Sequence, residues 1–305
     1  MEKNANEFFL VDYFPAANYW EEHNDLFKTR NVIIKASSSR IEYPQHWGTL
    51  SIKTVLSGHE TYFANDHEYK LNEYTYLILN HDQHYGSSIK AQDPVESLSF
   101  HFTRLFEQTT LYYLHNSHDA LIDDPSREAE CGYVEFTVTQ HTYSPAMRKL
   151  VLDIRDLIAD MGSSTGRIEE LYYRLYIEIF HAQLGVNRIR EDLNAVKKST
   201  RDEVFRRVTL AKDYIESNYN NPELSLSHLS AISCMNTYHF LRCFKQVYKQ
   251  TPYQYLKQLR LRRAFELLKT KKYSVSRVVN LCGYQDVSSF DKTFRSRYSI
   301  QPSRI

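Results

Sequence analysis

The last hundred residues of this chain repeat themselves with an offset of fifty. Phe240 and Phe290, Arg242 and Lys292, and Phe244 and Phe294 coincide, as do Lys245 with Arg295, Tyr248 with Tyr298 and Pro252 with Pro302. One supersecondary unit has to accommodate both copies, which constrains the fold more than any isolated motif. Each copy reads as a helix, a short turn and a second helix. In the first copy Leu226, Leu229 and Ile232 share a helical face behind a capping Ser225, and a turn follows at Cys234 to Asn236. The next helix, about Thr237 to Tyr248, divides in two. Phe240, Phe244 and Val247 lie on one side, and Tyr238, Leu241, Arg242 and Lys245 on the other.

The second copy has Val275, Val278 and Leu281, a turn at Gly283 suited to positive φ, and a helix that buries Phe290 and Phe294. Ser288, Asp291, Lys292 and Arg295 occupy its other face. Leu229 to Phe244 is one residue shorter than Val278 to Phe294, so the second turn is expected to be one residue longer. Between the copies, Pro252 to about Thr270 reads as one continuous helix with Leu256, Leu259, Ala264, Leu267 and Leu268 on its apolar face. A helix of that length spans roughly 28 Å at about 1.5 Å per residue. It can hold two reading helices about one turn of B-DNA apart, a turn being roughly 34 Å.

Charge is segregated along the chain. Residues 203–305 carry 18 Lys and Arg against 7 Asp and Glu, a net +11, while the preceding 202 residues carry 20 against 30, a net −10. A basic end joined to an acidic remainder points to a polyanion bound by one end only.

The segments FLRCFKQVYKQTPYQYLKQLRLRRAFELL (240–268) and VVNLCGYQDVSSFDKTFRSRYSIQPS (278–303) resemble the C-terminal DNA-binding domain of AraC/XylS-family transcription regulators, over roughly residues 203–305. The resemblance implies base contacts by Tyr238, Leu241 and Arg242 from one half and by Ser288, Asp291 and Lys292 from the other. Lys245 and Arg295 would meet phosphates, which position a protein without reading sequence. Two departures stand out. Lys249 and Ser299 replace the glycine usual after each reading helix, and Leu241 replaces a polar side chain, which favours a thymine methyl over hydrogen-bond readout.

Upstream, residues 1–30 are aromatic and acidic without a clear period; Phe8, Phe9, Tyr13, Phe14, Tyr19 and Trp20 fit an arm or a first irregular strand. From Val32 the pattern changes to short β-type runs: Thr49–Leu56, His59–Phe63, Tyr74–Leu79, Ser97–Phe102 and Tyr133–Thr139. Turn signals at Ser57-Gly58, Asn65-Asp66, Asn80 to Asp82 and Asp93-Pro94 separate them. Such spacing suggests a sandwich or small barrel, and the resemblance implies a cupin-like jelly roll that binds a small-molecule effector. Two helices follow. The stripe Met147, Leu150, Val151, Ile154, Leu157 and Ile158 ends near Met161-Gly162, and about Arg167 to Leu184 carries Ile168, Leu171, Leu175, Ile179 and Phe180 in register. Their apolar faces suit either the monomer core or a homodimer interface.

The expected fold is thus α+β in two domains: a cupin-like β domain over 1–143, a helical pair over 144–186, a linker over 187–202 and an all-α domain over 203–305. That last domain would hold two helix-turn-helix units joined by a long helix. Candidate effector contacts are Tyr43, His46, Trp47, Tyr62, Tyr76 and His101, aromatic and polar residues on or beside expected strands that suit a sugar or similar polar molecule. Histidines crowd this region (His59, His67, His81 and His84 add to those above), but no His-x-His pair followed by a glutamate appears, so no metal or other cofactor is expected. The alternative is a cupin-type metalloenzyme with a helical tail. No nucleophile–base set, phosphate loop or dinucleotide fingerprint points to catalysis.

Cys131, Cys234, Cys243 and Cys282 show no paired spacing, and the last three read as small core residues; a reducing cytoplasm fits. The N-terminus lacks a signal-peptide pattern and no run of 18 apolar residues exists. The expected partners are therefore double-stranded operator DNA, a small effector, a second copy of the chain and RNA polymerase, with an activating role and no membrane. Arg242→Ala is expected to cost about 1–3 kcal/mol at the operator and to relax base preference at one position. Lys245→Ala is expected to weaken binding to all sequences alike and to flatten its salt dependence, both measured by titration of labelled duplex.

Overall fold

The computed structural model describes residues 8–11, 25–116, 132–159, 165–193 and 197–305. The chain divides into two compact units, Met1–Val186 and Asn187–Ile305. Cys131, the Met161-Gly162 turn and all the N-terminal aromatics except Phe8 and Phe9 lie outside the described residues.

The first unit is an eight-stranded sheet, nearly closed into a barrel. Strands β1 (Phe8–Val11), β2 (Asn31–Trp47), β3 (Leu50–Ser57), β4 (His59–Ala64), β5 (His67–Asn72), β6 (Thr75–Leu79), β7 (His84–Phe102) and β8 (Gln140–Thr142) build it. Order along the main path is β1-β2-β7-β3-β6-β8, and the β4–β5 hairpin joins β7 separately. The two longest strands, β2 and β7, pair antiparallel from Val32/His101 to Trp47/His84, interrupted by register shifts near Ser38–Arg40 and Tyr43–His46. Those shifts bend the pair, so one end of β7 also binds β4 and the other also binds β3. The β4–β5 turn is the two-residue Asn65-Asp66 loop, both at positive φ, a geometry that matches strand twist.

Period-two alternation gives the sheet two apolar faces. Leu50, Ile52, Tyr76, Ile78, Leu98, Phe100 and Phe102 point outward onto three helices: α1 (Arg104–His115), α2 (Pro145–Ala159) and α3 (Thr165–Glu191). Val55, Tyr62, Leu71, Leu77, Leu79, Tyr85 and Ile89 point inward. Both helical stripes expected from the sequence are spent here: Met147, Leu150, Ile154, Leu171, Leu175 and Ile179 are buried in their own unit.

Several expectations need correction. Tyr133–Thr139 is not a strand. Its backbone is held by side chains instead, with Val134 N–H donating to Glu107 Oε1, Phe136 N–H to Asn80 Oδ1 and Thr137 N–H to Gln183 Oε1, which leaves no ladder for a neighbour. Ser97–Phe102 is only the end of β7, because Asp93-Pro94 lies within the strand and not in a turn. Helix α1 interrupts the β region, started by Thr103, whose hydroxyl accepts from Phe106 N–H. The 187–202 segment is helical at both ends: α3 continues to Glu191, and α4 (Lys198–Asn218) has begun by Lys198, with Arg190 and Asp202 3.4 Å apart across the break.

The second unit continues with α5 (Leu226–Ile232), α6 (Thr237–Tyr248), α7 (Pro252–Lys269), α8 (Val275–Leu281) and α9 (Val287–Tyr298), closed by a 3-10 turn at Pro302–Arg304. The caps repeat like the helices. Ser225 and Ser274 accept from the backbone of the third helical residue, and Asn236 and Asp286 cap α6 and α9. Four residues separate α5 from α6 and five separate α8 from α9, as the spacing anticipated. Thr251 and Gln254 form a capping box around Pro252, the first residue of α7. Lys249 (φ 57°) and Ser299 (φ 56°), which stand where glycine was expected, adopt the left-handed conformation after each reading helix all the same.

Cys243 and Cys282 are buried, but Cys234 is exposed, because it occupies the left-handed turn position (φ 49°) equivalent to Gly283 (φ 73°). The two turns differ in tightness. A Cβ on Gly283 would lie 2.6 Å from the Asn220 carbonyl oxygen. Gly283→Ala is therefore expected to destabilise the protein by more than about 1 kcal/mol, combining steric overlap with left-handed strain. Cys234→Gly is expected to change stability by less than about 1 kcal/mol, since relief of strain offsets added chain entropy. Urea unfolding of both variants checks the contrast.

Candidate nucleic-acid interface and barrel interior

In the second unit, packing of the aromatic ridges decides which side chains remain outside. Phe240 and Phe244 are fully buried, 5.6 Å apart between ring centroids, and Phe244 packs tilted against Tyr248 at 4.8 Å and edge-on against Tyr255 at 5.9 Å. Phe290 and Phe294 repeat this at 5.3 Å, with Tyr298 and Phe265 4.6 Å apart beyond them. Long α7 carries both contacts: Tyr255 lies in its first half, Phe265 in its second. Its Arg260 donates from Nε to the Tyr219 carbonyl (2.7 Å) and from Nη2 to the Asn221 carbonyl (2.8 Å), fixing α7 to the end of α4.

Opposite these ridges the expected contact residues emerge. Tyr238 is 82% exposed, Arg242 and Lys245 are exposed, and Leu241 is half-buried. On α9, Ser288, Lys292 and Arg295 are exposed and Asp291 is half-buried; all four line one groove of about 780 Å³ between α9 and the start of α8. The structure thus brings together the four second-head residues and leaves the first four on one outward helix face. Asn236 and Asp286 satisfy the helix starts themselves, accepting from His239 N–H and from Ser288 and Ser289 N–H. Arg242, Lys245 and Lys292 enter no ion pair among the described residues.

Of the expected effector residues, Tyr43 and Tyr62 share a sheet face through their common partner Ser87, while Tyr76 and Trp47 lie apart from them. Tyr62 and His101 face the barrel interior. Tyr76 lies on the opposite face of the sheet among the helix-packing residues, its ring 5.0 Å from His141, because β6 alternates it with the inward Leu77 and Leu79. Tyr43 packs with Phe27, Val32 and Ile34. Trp47 is 68% exposed and leans on His84. His46 lies against Tyr85 at 4.5 Å, and burial lowers its pKa to about 4.

The interior holds polar groups that strand reading missed. Lys53 is buried; its Nζ donates to Tyr85 Oη (2.9 Å) and lies 3.1 Å from His101 Nε2, while His101 Nδ1 lies 3.3 Å from Thr49 Oγ1. Burial holds the His101 pKa well below its usual value. Burial also lowers the Lys53 ammonium to about 7. Glu60 is buried too, its carboxyl raised by burial against hydrogen bonds from Ser87, Tyr62 and Ser97; among the described residues its Oε2 has no hydrogen-bond partner. The alternation carried no signal for Lys53: it shares its strand face with Ser51, Val55 and Ser57, opposite the more apolar Leu50, Ile52 and Leu56.

His81 has a structural role. Its Nδ1 accepts from Leu50 N–H and its Nε2–H donates to buried Glu107, which also accepts from Tyr176 Oη. Among the described residues no three His, Cys, Asp or Glu side chains converge as metal ligands, and no helix is long and apolar enough to cross a membrane.

Residues 229–305 match a family model described as a helix-turn-helix domain. The probable transcriptional regulator LumQ of Photobacterium leiognathi is 32% identical over 97 residues, 32% of this chain and 39% of that protein. The transcriptional regulator AlkR of Acinetobacter baylyi is 30% identical over 84 residues, 28% of each chain. Among solved structures, the C-terminal domain of the response regulator yesN from Fusobacterium nucleatum aligns at 27% identity and a TM-score of 0.30, covering 31% of this chain and 92% of that one. The chain thus spans well under half the length of these two curated relatives. Taken with the duplicated helix pairs, the family model and the curated relatives identify residues 229–305 as a helix-turn-helix domain of the AraC type.

Proposed function

We propose that the whole chain is a ligand-responsive transcription regulator, more specifically an activator. Its second unit would read operator DNA and its barrel would bind a small polar effector such as a sugar. The observation that carries the first part is the pair of twelve-residue helices with outward cationic faces, joined through one eighteen-residue rod. At about 1.5 Å per residue the rod is about 27 Å long, short of one duplex turn by less than a side chain's reach. Arg242 and Lys292 would meet base edges with Tyr238, Leu241, Ser288 and Asp291, while Lys245 and Arg295 would meet phosphates. The boundaries at 143, 186 and 202, a cytoplasmic setting, homodimerisation and contact with RNA polymerase belong to the same proposal.

The effector reading rests on the buried Lys53, Glu60, Tyr62, Tyr85 and His101, an interior far more polar than barrel packing requires. Effector binding would shift populations between arrangements of the two units. Footprinting on fragments from around its own gene tests the DNA part: a protected stretch covering two successive turns on one face is expected, and protection of a single turn would overturn it.

For the effector, thermal melts against a panel of monosaccharides, sugar acids and amino acids are expected to reveal at least one compound that raises the melting temperature of the parent but not of Lys53→Met. A panel without any shift, or an equal shift in both proteins, would remove the barrel from the mechanism.

A further inference from the structure

The two heads are equivalent in fold, but their reading faces differ in kind at two positions, Tyr238 against Ser288 and Leu241 against Asp291, and only the second brings in a charge. Leu241 is the fifth residue of α6 and Asp291 the fifth of α9, in the same register fifty residues apart. Flanking positions keep their character: Arg242 corresponds to Lys292 and Lys245 to Arg295. An apolar side chain in one head has become a carboxylate in the other.

Within the domain that carboxylate makes only a weak helix-surface pairing. The cap of α9 is supplied by Asp286, not by Asp291. Among the described residues its one ionic partner is Arg295, with Nη1 3.6 Å from Oδ2, beyond the range of a strong hydrogen bond. The side chain retains 39% of its exposure and lines the groove with Ser288 and Lys292. Phosphates repel a carboxylate at this place, and Lys292 and Arg295 beside it offset the repulsion. It gains from DNA only by meeting a hydrogen-bond donor.

The major groove offers two, the N4 amine of cytosine and the N6 amine of adenine; guanine and thymine present acceptors. Adenine places its N7 acceptor beside the amine, whereas cytosine places a C–H there. The carboxylate therefore favours cytosine.

We propose that Asp291 is a specificity-determining residue that reads a cytosine, through its N4 amine, in the half-site met by the second head. The inference rests on the DNA-reading proposal above. Its consequence is an asymmetric operator. Leu241 suits a thymine methyl at the matching position of the first half-site, so the unlike pair fixes which way round the chain lies on the duplex.

Selection of duplexes from a randomised library by the full chain tests this. The parent is expected to enrich a motif in two halves, and Arg242→Ala, by relaxing one half, identifies the other as the second head's. There the parent should favour cytosine at one position by roughly ten-fold. Asp291→Ala should lose that preference alone, and Asp291→Asn should move it to adenine, which an amide can pair at N6 and N7. If both variants select the parent's base at every position, Asp291 reads nothing. If Asp291→Ala weakens every position of the half-site alike, it acts by positioning Arg295, and the proposal fails. Enrichment of no motif by the parent would overturn the DNA-reading premise, and this inference with it.

Discussion

The packing of two phenylalanine pairs onto the two ends of one helix governs the second unit. Phe240, Phe244, Phe290 and Phe294 are each fully buried, and burial of such side chains is worth about 1.5–3 kcal/mol apiece. Exposed cations contribute far less to stability. Apolar burial therefore sets the rotation of α6 and α9, and the arginines and lysines at the remaining positions face outward as a consequence. Because both pairs lean on α7, through Tyr255 at one end and Phe265 at the other, the separation of the two heads is fixed by helix length and not by a flexible linker.

The first unit solves a different problem. A sheet apolar on both faces needs two covers. Helices α1 to α3 supply one, through rings such as Phe106 and Tyr172 packed on Phe102. The bend of β2 and β7 supplies the other by closing the sheet around its own inner face. Into that interior the fold admits Lys53, Glu60 and His101, whose pKa values shift toward the neutral form because burial penalises charge. Neutral forms with hydrogen bonds cost less to bury than ions.

Legibility followed periodicity. In the second unit, where a 3.6-residue period and its caps act locally, helix ends from Thr237 to Tyr298 and the extra turn residue before α9 could be read directly. In the barrel, Asp93-Pro94 looked like a turn yet sits inside β7, and Tyr133–Thr139 looked like a strand yet has its N–H groups taken by Glu107, Asn80 and Gln183. Both errors have one source. Whether an extended segment joins a ladder depends on partners distant in sequence. Tyr76 and Tyr62 show the same limit for the site, since opposite sheet faces receive them.

The sequence alone determined the duplicated helix-turn-helix, the rod between its halves and the faces that carry Arg242 and Lys292, because helical spacing and burial of aromatics are decided within a dozen residues. Tertiary structure decided the rest. It set which strand faces turn inward, that Cys234 takes a strained turn instead of a core place, and that a lysine and a glutamate lie inside the barrel. Those outcomes depend on register and bending between strands far apart in the chain, which no local pattern encodes.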